Sequence, residues 1–144
     1  MIVLKEIDIN NFWDIISLKV SESQEELVTS NAVSIAQAKV QVECQPRAIY
    51  QDEIPVGFVM YCIDRDDNEW WVYRLMIDEK FQSRGIGRAA MELVISEIQA
   101  DKTREKIYVG VDSSGVSSKR LYEALGFKYT GEKFGKEEIM VLDY

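Results

Sequence analysis

Apolar and polar positions divide this chain into short strands and amphipathic helices. Ile2 to Ile7 reads as a first strand. Asn10 or Asn11 can cap a helix running through Lys19, with Phe12, Ile15, Ile16 and Leu18 on its apolar side. Ser21 to Val28 reads as a second helix start, because acidic residues in a first turn complement the helix dipole. Ser34 to Glu43 carries Ile35, Ala38 and Val42 roughly on one face and reads as helical too. Ala48 to Tyr50 and Ile54 to Ile63 are strands around the polar turn Gln51-Asp52-Glu53, and Gly57 inside the second permits close packing or a bulge. The polar loop Asp64 to Glu69 leads to a further strand, Trp70 to Ile77. Gly87 to Gln99 predicts a helix of roughly three and a half turns, with Met91, Val94, Ile95 and Ile98 facing a core. After the charged loop Asp101 to Glu105, Ile107 to Val111 is a short strand of buried type. Ser117 or Ser118 caps a helix over Lys119 to Leu125 that Gly126 ends, and Phe127 to Phe134 with Glu138 to Leu142 forms a closing hairpin around Gly135. The order β-α-α-ββ-β-α-β-α-β-β makes an α/β domain with a mixed sheet.

One stretch organises this pattern. Gln82-Ser83-Arg84-Gly85-Ile86-Gly87-Arg88 joins the strand that ends near Asp78 to the following helix. Strand, glycine-bearing turn and helix N-terminus in that order make a phosphate cradle, because the first helical N–H groups lack internal partners and the helix dipole attracts anions. Arg84 and Arg88 add positive charge, and no acid occurs between Lys80 and Met91. Gly-x-Gly alone also suits a plain tight connection. The stretch is neither a P-loop, lacking Gly-Lys-Ser/Thr, nor a dinucleotide fingerprint, lacking the third glycine.

Composition narrows the chemistry. A chain of 144 residues with 47% apolar content has the size of one domain with a real core, so residues 1–144 are expected to form a single domain. No run approaches a membrane span and the N-terminus lacks a signal pattern, which implies a cytoplasmic protein. Cys44 and Cys62 have no metal spacing and read as buried, neutral thiols. The absence of histidine excludes Ser-His-Asp and Cys-His catalysis and histidine metal ligation, and no metal is expected. The net charge of −8 disfavours nucleic acid. Residues 1–79 carry 15 acids against 6 bases, whereas residues 80–144 carry 10 acids against 11 bases. A site bringing a cationic substrate to an anionic cofactor would be distributed in this way, as would an acidic solubilising surface.

Two signatures carry a family resemblance. Gln82-Ser83-Arg84-Gly85-Ile86-Gly87 resembles the Gln/Arg-x-x-Gly-x-Gly/Ala signature of the GNAT acetyltransferase superfamily, and Leu121-Tyr122-Glu123-Ala124-Leu125-Gly126-Phe127, about 35 residues on, resembles its Leu-Tyr-x-x-x-Gly-Phe run. Val20-Ser21-Glu22-Ser23-Gln24, Val56-Gly57-Phe58-Val59-Met60-Tyr61 and Arg74-Leu75-Met76-Ile77-Asp78 look like bacterial spermine/spermidine N-acetyltransferases. The resemblance implies a mixed, mostly antiparallel sheet of about six to seven strands flanked by about four helices. It implies acetyl-coenzyme A as cosubstrate, its pyrophosphate held by backbone N–H groups of Gln82, Ser83, Arg84, Gly85, Ile86, Gly87 and Arg88. The pantetheine arm would pair with Leu75, Met76 and Ile77 at a strand splay beside Met76, as an added strand does. Tyr122 would act as general acid on the leaving thiolate. Where many relatives carry asparagine before the last helix, this chain has Ser114 and Gly115.

The implied reaction is direct attack of a neutral primary amine in a ternary complex. Presenting a Lys-like amine neutral near pH 7 spans about 3 pK units, on the order of 4–5 kcal/mol. Tyr73 could position a water that takes the proton, with Glu69 a more distant candidate. Acids close to the reacting nitrogen would oppose its deprotonation, so acids recognising a polyamine should hold distal ammonium groups, with Glu22, Glu25 and Glu26 as candidates. An N-acetyltransferase for a polyamine such as spermidine or spermine is the leading reading. Acetylation of a protein N-terminus or another small amine, a non-catalytic acetyl-coenzyme A-binding module and an anion-binding structural domain stay open. The hairpin from Phe134 to Tyr144 offers a surface through which a homodimer could form.

Overall fold

The computed structural model describes residues 1–144, the side chain of Glu26 excepted. Seven strands form one sheet: β1 (Ile2–Lys5), β2 (Gln45–Gln51), β3 (Ile54–Ile63), β4 (Trp70–Ile77), β5 (Lys106–Asp112), β6 (Lys128–Phe134) and β7 (Glu137–Asp143). Their order is β1-β2-β3-β4-β5-β7-β6, antiparallel throughout except between β4 and β5. Four α-helices flank it: α1 (Phe12–Ile16), α2 (Asn31–Val40), α3 (Ile86–Ile98) and α4 (Val116–Ala124). On one face Val59, Tyr61, Trp70 and Val72 pack against Ile86, Ala90, Met91, Val94 and Ile98 of α3. On the other, Phe58, Met60, Cys62 and Met76 pack with Ile15 of α1, and Ile35 and Ala38 of α2 lie against them. Cys44 and Cys62 are free, buried thiols, as the sequence reading expects; burial raises both, Cys62 to about 12. Among the described residues no helix is long and apolar enough to cross a membrane.

The elements follow the expected order, but several bounds move for identifiable reasons. β1 stops at Lys5, short of Ile7. The helix expected to reach Lys19 ends at Ile16. Asn11 does not cap it; its side chain accepts from Asp8 N–H at 2.9 Å and donates to Glu6 C=O at 3.0 Å. Lys19 is drawn across to the end of β4 instead, where its N–H donates to Asp78 Oδ2 at 3.0 Å and its carbonyl accepts from Glu79 at 2.7 Å. The stretch after Ser21 forms a 3-10 turn, Glu22–Leu27. α2 begins at Asn31 rather than Ser34, because Ser30 Oγ accepts from Val33 N–H at 3.2 Å and the Asn31 amide donates to Ile15 C=O at 2.9 Å. β2 begins at Gln45, ahead of Ala48; Pro46 is tolerated there because β1 pairs only with Ala48 through Gln51. α4 starts at Val116 with Gly115 at its N-cap, so Ser117 and Ser118 sit inside its first turn instead of capping it. β7 inserts between β5 and β6, so the sheet's free edge at this end is β6.

Candidate active site

The site grows from an irregularity in β4. Met60 pairs with Arg74 and Tyr61 with Val72, which leaves Tyr73 as the extra residue of a bulge. The bulge changes the strand's parity. Before it Trp70 and Val72 point into the α3-side core; after it Leu75 and Ile77 do, while Tyr73 and Met76 join the opposite core. Pairing between β4 and β5 ends at the same place, at Val72–Val109. The closed end is held firmly: Trp71 stacks on Tyr108 at 5.1 Å, and the Trp70 indole N–H donates to Asp101 at 3.0 Å. Beyond the bulge, the β5-facing edge of Tyr73 to Ile77 has no strand partner among the described residues, so the expected splay beside Met76 is present. Gly57 lies opposite Ile77, and a Cβ there would sit 2.5 Å from the Met76 carbonyl oxygen. Close approach of the two backbones at this point therefore requires glycine.

The loop after β4 presents a row of donors. Gly85 caps α3 with φ 78° and Ser83 has φ 63°, a left-handed conformation costing a non-glycine residue about 1 kcal/mol or more. Among the described residues, no N–H group from Gln82 through Arg88 finds an acceptor; Ala89, donating to Gly85 C=O at 3.1 Å, is the first that does. Unpartnered N–H groups on a turn that opens a helix suit a phosphate group. Gln82 also braces the loop with its side chain, which donates to Ile77 C=O and to Gln24 Oε1, both at 2.9 Å. Gln24 Oε1 in turn accepts from Ser21 N–H at 3.3 Å. Arg84 lies over the Phe81 ring at 5.6 Å, and Arg88 pairs with Glu92 at 3.1 Å on the surface.

A cleft of about 750 Å³ connects this loop to the splay. Leu75, Met76, Ile77, Gln82, Ser83, Gly85, Ile86, Gly87 and Arg88 line it, and so does Tyr122 from α4. Tyr122 is 5% exposed, packs edge-on against Phe127 at 5.3 Å and lies at the start of a Schellman turn: Gly126 has φ 100°, and Phe127 N–H donates to Tyr122 C=O at 2.9 Å. The Leu-Tyr-x-x-x-Gly-Phe run thus has a local cause, because the glycine turns the chain so that Phe127 clamps the tyrosine ring. Burial holds the Tyr122 phenol above its ordinary value near 10, so it stays protonated and able to donate.

Other expected residues are placed differently. The Tyr73 hydroxyl donates to Asp64 Oδ2 at 2.5 Å and accepts from Gln41 Nε2 at 3.2 Å, and burial followed by the Asp64 bond raises its pKa. Tyr73 still lines the cleft, whereas Glu69, at the far end of β4, does not. Glu22 and Glu25 face solvent; the same segment contributes Gln24, Leu27 and Thr29 to the wall instead. The Glu26 side chain lies outside the described residues. Ser114 donates through N–H and hydroxyl to Asp112 Oδ1, at 2.9 and 2.6 Å, so it organises the loop before α4. Arg74, Asp112 and Glu137 line the cleft without having been anticipated. Asp112 and Glu137 are cross-strand partners, a relation that only the register of β5 against β7 creates.

The Acetyltransferase (GNAT) family profile matches residues 13–127, taking in the donor loop, the splay and Tyr122. The chain belongs to the GNAT acetyltransferase family. It is 29% identical, over 145 aligned residues covering 96% of this chain and 95% of the relative, to the spermine/spermidine N(1)-acetyltransferase of Bacillus subtilis (strain 168). Its fold matches a spermidine N-acetyltransferase from Vibrio cholerae, crystallised with CoA and spermine, with TM-score 0.75 and 15% identity over 99% of this chain and 95% of that one. It also matches the PaiA N-acetyltransferase of Thermoplasma acidophilum in complex with coenzyme A, with TM-score 0.74 and 15% identity over 100% and 99% of the two chains. Both GNAT signatures of this chain meet in the one cleft.

Proposed function

We propose that this GNAT acetyltransferase moves acetyl from acetyl-coenzyme A to a primary amine of a polyamine such as spermidine or spermine, with residues 1–144 working as one N-acetyltransferase domain. The observation that carries the reading is the run of unpartnered N–H groups from Gln82 through Arg88, continuous through the splay with a buried, protonated Tyr122. The residues fit acetyl-coenzyme A: the donor loop suits a pyrophosphate, and the open edge of Leu75, Met76 and Ile77 suits an amide-bearing arm that adds as a short strand. When bound, acetyl-coenzyme A supplies the activated acetyl group. Tyr122 would donate its proton to the departing thiolate, and N–H groups on the open edge of β4 would receive developing negative charge on oxygen.

The similarity to the Bacillus enzyme supports a polyamine acceptor over a protein N-terminus. So does the wall of the cleft, where the carboxylates of Asp112 and Glu137 stand against the single cation of Arg74 on the strand side. The test is a set of initial rates by thiol detection with acetyl-coenzyme A and spermidine, spermine, putrescine, a lysine peptide and an aminoglycoside. Highest kcat/KM on spermidine or spermine is expected. Preference for the peptide, or release of no thiol with any amine, would overturn the reading.

A further inference from the structure

We infer that Glu137 is the residue that recognises the second positive charge of the acceptor, a deepening that rests on the polyamine reading above. Glu137 opens β7, is exposed, and lines the cleft across the splay from Arg74. Its carboxylate is laid against the β5 backbone: a Cβ built on Gly110 would come within 3.1 Å of Oε2 and 3.3 Å of Oε1. A Cβ at 110 would make the carboxylate shift by a few tenths of an ångström, so the glycine leaves it room to lie against β5.

The neighbouring acids are already engaged. Asp112 accepts from Ser114 N–H and hydroxyl, and Glu138 pairs with Lys119 at 2.8 Å. Glu137 makes no ion pair with any described residue. The loop that carries it is pinned beside the splay, because Ser113 donates through N–H and hydroxyl to Lys136 C=O, each at 2.8 Å. A carboxylate without a cation, on a backbone held beside the splay and on the wall of a cleft that must admit a cationic amine, is a receptor for ammonium. It approaches the cleft from β7, whereas Tyr122 comes from α4. A diamine can therefore place its far ammonium on Glu137 while its near nitrogen loses a proton; a carboxylate beside the near nitrogen would resist that loss. Glu137 thus takes the role that the sequence reading gave to Glu22, Glu25 and Glu26.

The test compares putrescine with n-butylamine, which has the same chain but no second charge, and includes spermidine. Glu137→Gln and Gly110→Ala are measured beside the wild type. The expected result is that Glu137→Gln lowers the ratio of kcat/KM for diamine over monoamine by about three- to fivefold, through KM, the size expected for one partly exposed charge pair, and that Gly110→Ala, which only displaces the carboxylate, lowers it less. A ratio unchanged within twofold in Glu137→Gln, or an equal loss on both amines, would overturn the assignment. If the wild type itself fails to prefer putrescine and spermidine to butylamine, the polyamine reading falls and this inference with it. That outcome is visible before any variant is compared.

Discussion

At the residue scale the proposed chemistry rests on Tyr122. Its hydroxyl has no hydrogen-bond partner among the described residues, and its ring is fixed by Phe127 and the glycine turn. Tyr122→Phe should therefore fold normally, with a melting temperature close to wild type. It should lower kcat about 100-fold, the scale of general-acid catalysis, with the Kd for coenzyme A nearly unchanged. Equal turnover by the variant would remove Tyr122 from the chemistry. The pH profile is a second check. Because burial raises its pKa, Tyr122 stays protonated below its ordinary value near 10 and adds no alkaline limb there. The rate should instead climb with pH as more of the amine becomes neutral. The turns that set Tyr122 and the Gln82–Arg88 loop on the cleft wall were legible in the sequence because each belongs to a motif whose glycine has a local conformational purpose. Glu137 and Arg74 were not, because strand register and the bulge at Tyr73 place them, and neither leaves a local pattern.

Strands and helices show the same division. β3, β4 and α3 were readable almost to the residue, since their apolar patterns match their own burial. α1 and the Glu22–Leu27 turn were not, because distant partners shape them: Asp78 holds Lys19, and Gln82 holds Gln24. Asp78 accepts from both Lys19 and Lys80 N–H at 3.0 Å and is buried. Asp78→Ala should cost about 1–3 kcal/mol, seen as a lower urea midpoint, by leaving those donors unpaired. Gly126→Ala acts on another element. A Cβ there faces φ 100° and would meet Leu142 Cδ1 at 3.2 Å. The turn after α4 should distort and cost about 1 kcal/mol or more. Activity should fall further than stability alone explains, because the turn aims Tyr122; activity measured on the folded fraction separates the two effects.

At the scale of the molecule, one sheet is covered by helices on both faces and opens between β4 and β5, where the proposed site lies. Its buried phenols and thiols also set a pH limit. Burial raises Tyr61, Tyr73 and Tyr122, and raises Cys62 to about 12. All four resist ionisation more in the folded than in the unfolded chain. Their contribution is therefore complete below the unfolded values, about 8.5 for Cys and about 10 for Tyr, and is lost as pH rises past them. Urea midpoints should hold steady from pH 7 to about 8.5 and fall steeply above about pH 10. The measurement closest to the heart of the mechanism is a crystal structure with coenzyme A bound. The pyrophosphate oxygens should lie about 2.7–3.2 Å from N–H groups between Gln82 and Arg88, with the arm in the β4–β5 gap and its sulfur beside the Tyr122 hydroxyl. Phosphates seated away from that loop, or a sulfur directed away from Tyr122, would contradict it.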